Sequence, residues 1–150
     1  MITDAFLLLS AAQAVTSSAV STNTIDLGVA RDLGPGNDLN VSVTVDETVT
    51  ASGSATVTFQ LITSAAANLG SPTIISQTDA IGKAELTAGR KPINLKIPDA
   101  VLLAQPIGQR YFGLQYTVAT GPLTAGKFTA QITDTEVSVN KNYPSGFTVI

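Results

Sequence analysis

The sequence predicts an all-β protein, folded as an antiparallel two-sheet sandwich of the jelly-roll type. Apolar and polar residues alternate in several stretches, which is typical of strands with one buried and one solvated face. Turn signals rich in Gly, Pro, Asn and Asp separate these stretches, and no stretch has the apolar period of a long amphipathic helix. We therefore expect about eight short strands, at most short helical turns, and no parallel βαβ units.

The length and composition indicate a single domain over residues 1–150, with an N-terminal arm (about 1–20) and a C-terminal tail (about 143–150). Only 13% of the residues are charged and the net charge is −3. The basic residues are scattered, so the chain lacks the cationic stripe that binds nucleic acid. A surface rich in uncharged Thr, Ala and Ser suits a protein that lies against a partner, but it is equally typical of ordinary all-β proteins.

The chain contains no Cys and no His. This excludes disulfides, thiolate chemistry, zinc sites with the usual ligands and a histidine general base. The apolar run of residues 6–9 is far too short to span a membrane. No Lys or Arg precedes that run, so we expect it to be retained rather than cleaved as a secretion signal.

The N-terminal region leaves two alternatives open. Residues 2–16 could begin as a short helix capped by Thr3 or Asp4, or they could form an edge strand. The polar, β-prone residues 16–24 and the following Ile25 to Leu27 predict an arm or edge strand that ends in a turn at Gly28.

Two clear strands follow a predicted loop at residues 32–40, and a turn at residues 51–54 separates them. Both strands alternate strictly between apolar and polar residues, which indicates antiparallel sheet. The residues expected to face the core are Leu39, Val41, Val43 and Val45 in the first strand, and Ala55, Val57, Phe59 and Leu61 in the second.

The middle of the chain is less regular. Residues 64–71 predict a single helical turn that ends at Gly70, residues 73–75 a short strand, and residues 77–83 an irregular polar segment. Ile93, Leu95 and Ile97 alternate between two prolines, which predicts a short strand near a sheet edge. Residues 99–105 predict another helical turn.

The stretch from Arg110 to Lys127 is the most regular strand–turn–strand of the chain. Its turn is Gly121-Pro122. The residues predicted to face the core are Phe112, Leu114, Tyr116 and Val118 before the turn, and Phe128, Ala130 and Ile132 after it. Val137 and Val139 have the opposite parity, which predicts a β-bulge or a strand break near Asp134-Thr135.

No residue pattern predicts catalysis. Asp134 and Glu136 share a strand face and could act as the acid and base of a glycosidase, but we interpret them as part of an ordinary solvated strand face. The loop from Asp32 to Asp38 lacks the third carboxylate and the regular spacing of a calcium loop. The glycines at 34 and 36 lack the Lys-Ser/Thr that completes a phosphate loop. We expect no catalytic residue, no cofactor and no bound metal.

Several segments carry a resemblance to a known family. Residues 110–130 (RYFGLQYTVATGPLTAGKFTA), 2–14 (ITDAFLLLSAAQA), 19–28 (AVSTNTIDLG), 31–34 (RDLG) and 53–61 (GSATVTFQL) resemble the capsid cement, or decoration, proteins of tailed bacteriophages. The similarity is greatest to the cement-protein family typified by the short-tailed Bordetella phage, and it is weaker over residues 62–109.

The resemblance implies a jelly-roll homodimer on the outer surface of the virion capsid, made in the host cytoplasm, that bridges subunits of the major capsid protein. It implies no enzyme activity, nucleic acid, membrane or small-molecule substrate. We expect the apolar termini to contact the partner, through Ile2, Phe6, Leu7, Leu8, Leu9, Tyr143, Phe147 and Ile150. Two other classes stay open: a carbohydrate- or receptor-binding β module of a phage tail or cell surface, and a hydrolase that uses Asp134 and Glu136.

Overall fold

Two antiparallel sheets pack against each other as a sandwich, in a computed structural model that describes residues 4–29, 39–97 and 109–134. This confirms the predicted all-β fold, with ten strands in the described ranges where about eight were expected. The strands are β1 (Leu8–Ala14), β2 (Ala19–Val20), β3 (Ile25–Asp26), β4 (Asn40–Thr50), β5 (Thr56–Ser64), β6 (Thr73–Gln77), β7 (Ile81–Gly82), β8 (Ile93–Lys96), β9 (Tyr111–Ala119) and β10 (Ala125–Thr133). The helical content of the described ranges is two single 3-10 turns, Ala5–Leu7 and Lys83–Glu85.

The strands are paired in the nested order of a jelly roll. Sheet A has the order β1-β10-β4-β8, and sheet B has the order β2-β9-β5-β6, with β3 also paired to β9 and β7 to β5. The outermost pair, β1 with β10, encloses β2 with β9, then β4 with β8, and finally β5 with β6. The chain therefore folds like one long antiparallel hairpin that has been rolled into two layers.

The turns that the sequence predicts at residues 51–54 and at Gly121-Pro122 do not close hairpins within one sheet. Each one carries the chain from one layer of the sandwich to the other, because β4 and β10 belong to sheet A whereas β5 and β9 belong to sheet B. Thr120 and Gly121 both have positive φ, 62° and 103°. Glycine adopts this conformation without the steric cost that a Cβ atom adds, which explains its place at this corner.

The core follows the predicted alternation. All the inward residues expected in β4, β5, β8 and the first part of β9 are buried, apart from the half-buried Leu39. At the centre, the ring of Phe59 lies edge-on to Tyr116 and Phe128, with centroids 5.8 and 5.3 Å away, while Tyr116 and Phe128 stack at 5.4 Å. These aromatic pairs join β5 and β9 of sheet B to β10 of sheet A.

Residues 64–71 form no helix but contain one hydrogen-bonded turn, in which the Leu69 N–H donates to the Ala66 carbonyl (3.0 Å). The Ser64 hydroxyl accepts a hydrogen bond from the Ala66 N–H (3.0 Å) and donates one to the Gly70 carbonyl (2.6 Å), so side-chain bonds hold the rest of the loop. Leu69 has a φ of 56° and is buried on the outer side of sheet B, against the backbone of Gly113, where a Cβ atom would collide with it. A side chain at position 113 would therefore displace this loop.

Other elements agree in part. β8 lies at an edge of sheet A, as its flanking prolines predict. β6 extends two residues beyond the predicted strand, and β7 lies in the segment predicted to be irregular. The predicted turn at residues 99–105, the parity switch after Asp134 and most of the loop at residues 32–40 lie outside the described residues.

A buried hydrogen-bond network ties β1 to the core. The Tyr116 hydroxyl donates to Ser10 Oγ (2.8 Å), which donates to Gln13 Oε1 (2.8 Å). The Gln13 amide in turn donates to the Val20 carbonyl (2.8 Å), and its oxygen accepts the Thr22 N–H (3.0 Å). Burial raises the pKa of Tyr116 from 10.0 to about 12, although the hydrogen bond with Ser10 partly offsets the effect.

This pKa shift predicts a loss of stability in strong alkali. The native state holds the Tyr116 proton more tightly than the unfolded state, so its contribution is complete below pH 10 and is lost as the pH rises through about 12. We expect the free energy of unfolding to fall by about 2–3 kcal/mol over this range because of Tyr116. Urea unfolding at a series of pH values measures the fall. Tyr116→Phe should flatten it, and an unchanged slope in that variant would contradict the assignment.

Candidate partner interface

The first and last residues of all three described ranges lie at one end of the sandwich. At this end the Leu27 N–H donates to the Arg110 carbonyl (3.0 Å) and the Ile97 N–H donates to the Leu39 carbonyl (3.0 Å). Thr133 is paired with Asn40 there, and Leu8 is paired with Gln131, which lies two residues before Thr133 in β10. We call this the terminal end, and it contains Asp4, Val29, Leu39, Ile97, Gln109 and Asp134.

The terminal end is a direct result of the nested pairing. Because β1 and β10 are antiparallel neighbours, the start of one strand lies beside the end of the other. Asp4 and Asp134, the first and last described residues, therefore lie at the same end of the sandwich. Residues 1–3 and 135–150 themselves, including the predicted contact residues Ile2, Tyr143, Phe147 and Ile150, lie outside the described residues.

Phe6 is the most exposed large apolar side chain among the described residues, at 89%. It lies in the 3-10 turn Ala5–Leu7, directly before β1, so both alternatives for this region are partly correct: one helical turn leads into an edge strand. The Asp4 carboxylate accepts the Phe6 N–H (2.9 Å), and the Asp4 carbonyl accepts the Leu7 N–H (3.0 Å). The turn holds the Phe6 ring away from the core, and Leu7 beside it is 39% exposed.

The other two described candidates differ from this pattern. Leu8 is half-buried, and Leu9 is fully buried in the core, so Leu9 is unavailable to a partner in this fold. Within the predicted arm of residues 1–20, β1 and β2 are paired with β10 and β9 of the sandwich. The uniform apolar run of residues 6–9 did not distinguish the exposed Phe6 from the buried Leu9.

Two further exposed apolar residues were not predicted from the sequence. Val29 is 58% exposed at the terminal end, and Ile74 of β6, which is paired with Ile62 of β5, is 45% exposed. The signal for Ile74 was the adjacent pair Ile74-Ile75, since neighbouring strand residues face opposite sides and only one of them can enter the core. Ile75 is the buried member of the pair.

The charge of the terminal end is partly neutralised by a bidentate ion pair. The Arg110 guanidinium donates to both carboxylate oxygens of Asp26, at 2.5 and 2.6 Å, and lies over the ring of Tyr111. The hydrogen bond from Arg110 lowers the pKa of the Asp26 carboxyl, and the Gly28 N–H adds to the effect. The pair fastens β3 to the start of β9, where Asp26 and Tyr111 are register partners.

The candidate chemical sites lie mostly outside the described residues. Asp134 ends the last described range, whereas Glu136 and the Asp32–Asp38 loop lie outside the described ranges, so the carboxylate pair stays a prediction. Within the described ranges, no cluster of three or more Asp, Glu, His or Cys side chains could hold a metal ion. No helix in those ranges is long and apolar enough to cross a membrane.

A comparison with known protein families assigns the chain to a family. Residues 9–132 match the Bbp16 family, a span that begins in β1 and ends in β10. The chain belongs to the Bbp16 family. The name of the Bbp16 family indicates a Bordetella phage protein, which is consistent with a structural component of a phage. No curated protein matches the chain. The Bbp16 match covers the jelly roll and does not include Phe6.

The contrast between Phe6 and Leu9 gives a direct test of the assigned interface. Phe6→Ser removes an exposed ring, so the free energy of unfolding should change by less than about 0.5 kcal/mol. Leu9→Ala leaves a cavity in the core and should cost about 2–5 kcal/mol. Urea denaturation of both variants measures the difference. A large loss of stability in Phe6→Ser would show that Phe6 belongs to the core.

Proposed function

We propose that this protein is a capsid cement protein, which binds the outside of a phage head as a homodimer and bridges subunits of the major capsid protein. The membership of the Bbp16 family supports a phage structural role. The observation that carries the more specific proposal is Phe6, an apolar ring that is 89% exposed on a capped turn. It lies at the terminal end, which also contains Asp134, the last described residue.

The energy for attachment would come from burying apolar surface at the terminal end. Full burial of one Phe side chain is worth about 1.5–3 kcal/mol, and the exposed parts of Leu7 and Val29 would add to it. Because the Asp4 cap already fixes the turn, part of the ordering cost is met before binding. One such end would give only a weak contact with the shell.

Bridging would turn weak contacts into firm retention. A dimer carries two terminal ends, and once one end is bound the other is held at high local concentration near a neighbouring capsid subunit. Two modest contacts then act together, so the dimer both stays attached and resists separation of the subunits. In this proposal the protein acts through geometry and buried surface, without catalysis or a cofactor.

Co-sedimentation with undecorated, expanded capsids of the cognate phage tests the proposal. The wild-type protein should sediment with the capsids, whereas Phe6→Ser should bind at least about tenfold more weakly, since about 1.4 kcal/mol per end corresponds to that factor. Phe6→Leu is the matched control, because it keeps an apolar side chain on the same turn, and it should bind nearly as well as wild type.

Three further outcomes test the cement function, the role of Phe6 and the alternative function separately. Absence of wild-type binding would contradict the cement function. Equal binding by wild type and Phe6→Ser would retain the cement function and remove Phe6 from the interface. Specific binding of the wild type to a glycan array, with no binding to capsids, would favour the carbohydrate- or receptor-binding alternative.

A further inference from the structure

The outer faces of the two sheets differ sharply in charge. On sheet A, Asp46 accepts a hydrogen bond from the Thr129 hydroxyl (2.6 Å), and Lys127 forms an ion pair with Glu47 (2.9 Å). The chain has no charged residue between 5 and 25, between 48 and 78, or between 111 and 126. These stretches contain β2, β5, β6 and β9 of sheet B, so Asp26 of β3 is the one charged residue in the described strands of that sheet.

The outward side chains of sheet B form a continuous uncharged surface, which we call the neutral face. The residues that alternate with the buried Val57, Phe59 and Leu61 point outward, and their register partners on β9 and β6 do the same. The neutral face consists of Thr56, Thr58, Gln60, Gln77, Gln115 and Thr117.

Hydrogen bonds across the strands hold part of the neutral face in place. The Thr117 hydroxyl donates to Gln60 Oε1 (2.7 Å), and the Gln60 amide donates to Gln77 Oε1 (2.7 Å). These two hydrogen bonds link side chains of β9, β5 and β6. They already restrict these side chains, so less conformational entropy is lost when a partner binds. At its margin, Ile74 adds an apolar side chain that is 45% exposed.

The neutral face is the cheaper of the two faces to remove from water. Burial of hydroxyl and amide groups that find hydrogen-bond partners costs far less than burial of ionised groups. Burial of the sheet A face would desolvate Asp46 and the Lys127–Glu47 pair, and such pairs seldom recover the full desolvation cost. The cores of protein interfaces are depleted of charge in the same way.

The chemistry of the neutral face also favours a particular partner. In a two-fold symmetric pair, the residues next to the symmetry axis lie near their own copies, so a carboxylate or ammonium group there would meet a like charge. A threonine hydroxyl and a glutamine amide each donate and accept hydrogen bonds, so they can pair with themselves. Two copies that each carry a net charge of −3 can therefore meet here without like charges in contact.

We propose that the neutral face of sheet B binds the same face of a second copy of this chain. The inference rests on the proposed function for its setting, and it deepens that function by naming the surface that joins the two copies. The terminal end, with Phe6, then stays available for the capsid, because it lies at the end of the sandwich rather than on this face.

Analytical ultracentrifugation of the full chain tests the pairing. The wild type should sediment as a dimer. Thr58→Glu and Thr117→Glu change two register partners at the centre of the face, and each should raise the dimer dissociation constant at least about tenfold through like-charge repulsion. Gln131→Glu is the matched control: it adds the same charge to a half-buried position on sheet A, and it should remain dimeric.

A charge-swap experiment separates loss of pairing from loss of folding. At concentrations below their raised dissociation constants, Thr58→Glu and Thr58→Lys should each be monomeric, with the far-UV circular dichroism of the wild type and a cooperative unfolding transition, and a mixture of the two should restore the dimer. A monomeric wild type, or a dimeric Thr58→Glu, would overturn the proposal. If the wild type is monomeric and Thr58→Glu loses only capsid binding, the neutral face binds the shell instead. A monomeric Thr58→Glu that still binds capsids would support the pairing surface and leave the cement function intact.

Discussion

The pairing of β1 with β10 is the constraint on which the rest of the structure depends. It is the outermost of the nested strand pairs, and it brings the first and last described segments to the same end of the sandwich. β1 is held from its other side as well, since the Asn23 side chain donates to the Leu8 carbonyl and Tyr116 donates to Ser10. The position of Phe6, one turn before β1, follows from this pairing.

The sequence predicted the elements of the fold better than their arrangement. Alternation identified β4, β5, β8, β9 and β10 because burial of one face imposes a period of two on each strand separately. Pairing depends on contacts between residues far apart in the chain, so the crossing of the Gly121-Pro122 turn between sheets had no local signal. Leu9 and Phe6 likewise belong to one apolar run, and only the packing of β1 separates the core residue from the exposed one.

The sandwich presents three surfaces of different chemistry. The terminal end carries the exposed apolar side chains of Phe6, Leu7 and Val29. The outer face of sheet A carries Asp46 and the Lys127–Glu47 ion pair, whereas strands β5, β6 and β9 of sheet B contain no charged residue. In the proposed function, the neutral face would bind a second copy, the terminal end would contact the shell, and the charged face of sheet A would stay in water.

The most direct test of this account is a cryo-electron microscopy map of capsids decorated with the protein, at a resolution that shows the strands. The account predicts that the terminal end, with Phe6, contacts the shell, and that the charged outer face of sheet A is exposed to solvent. A map in which the sheet A face, or the opposite end of the sandwich at residues 51–54 and 120–124, contacts the shell would contradict it.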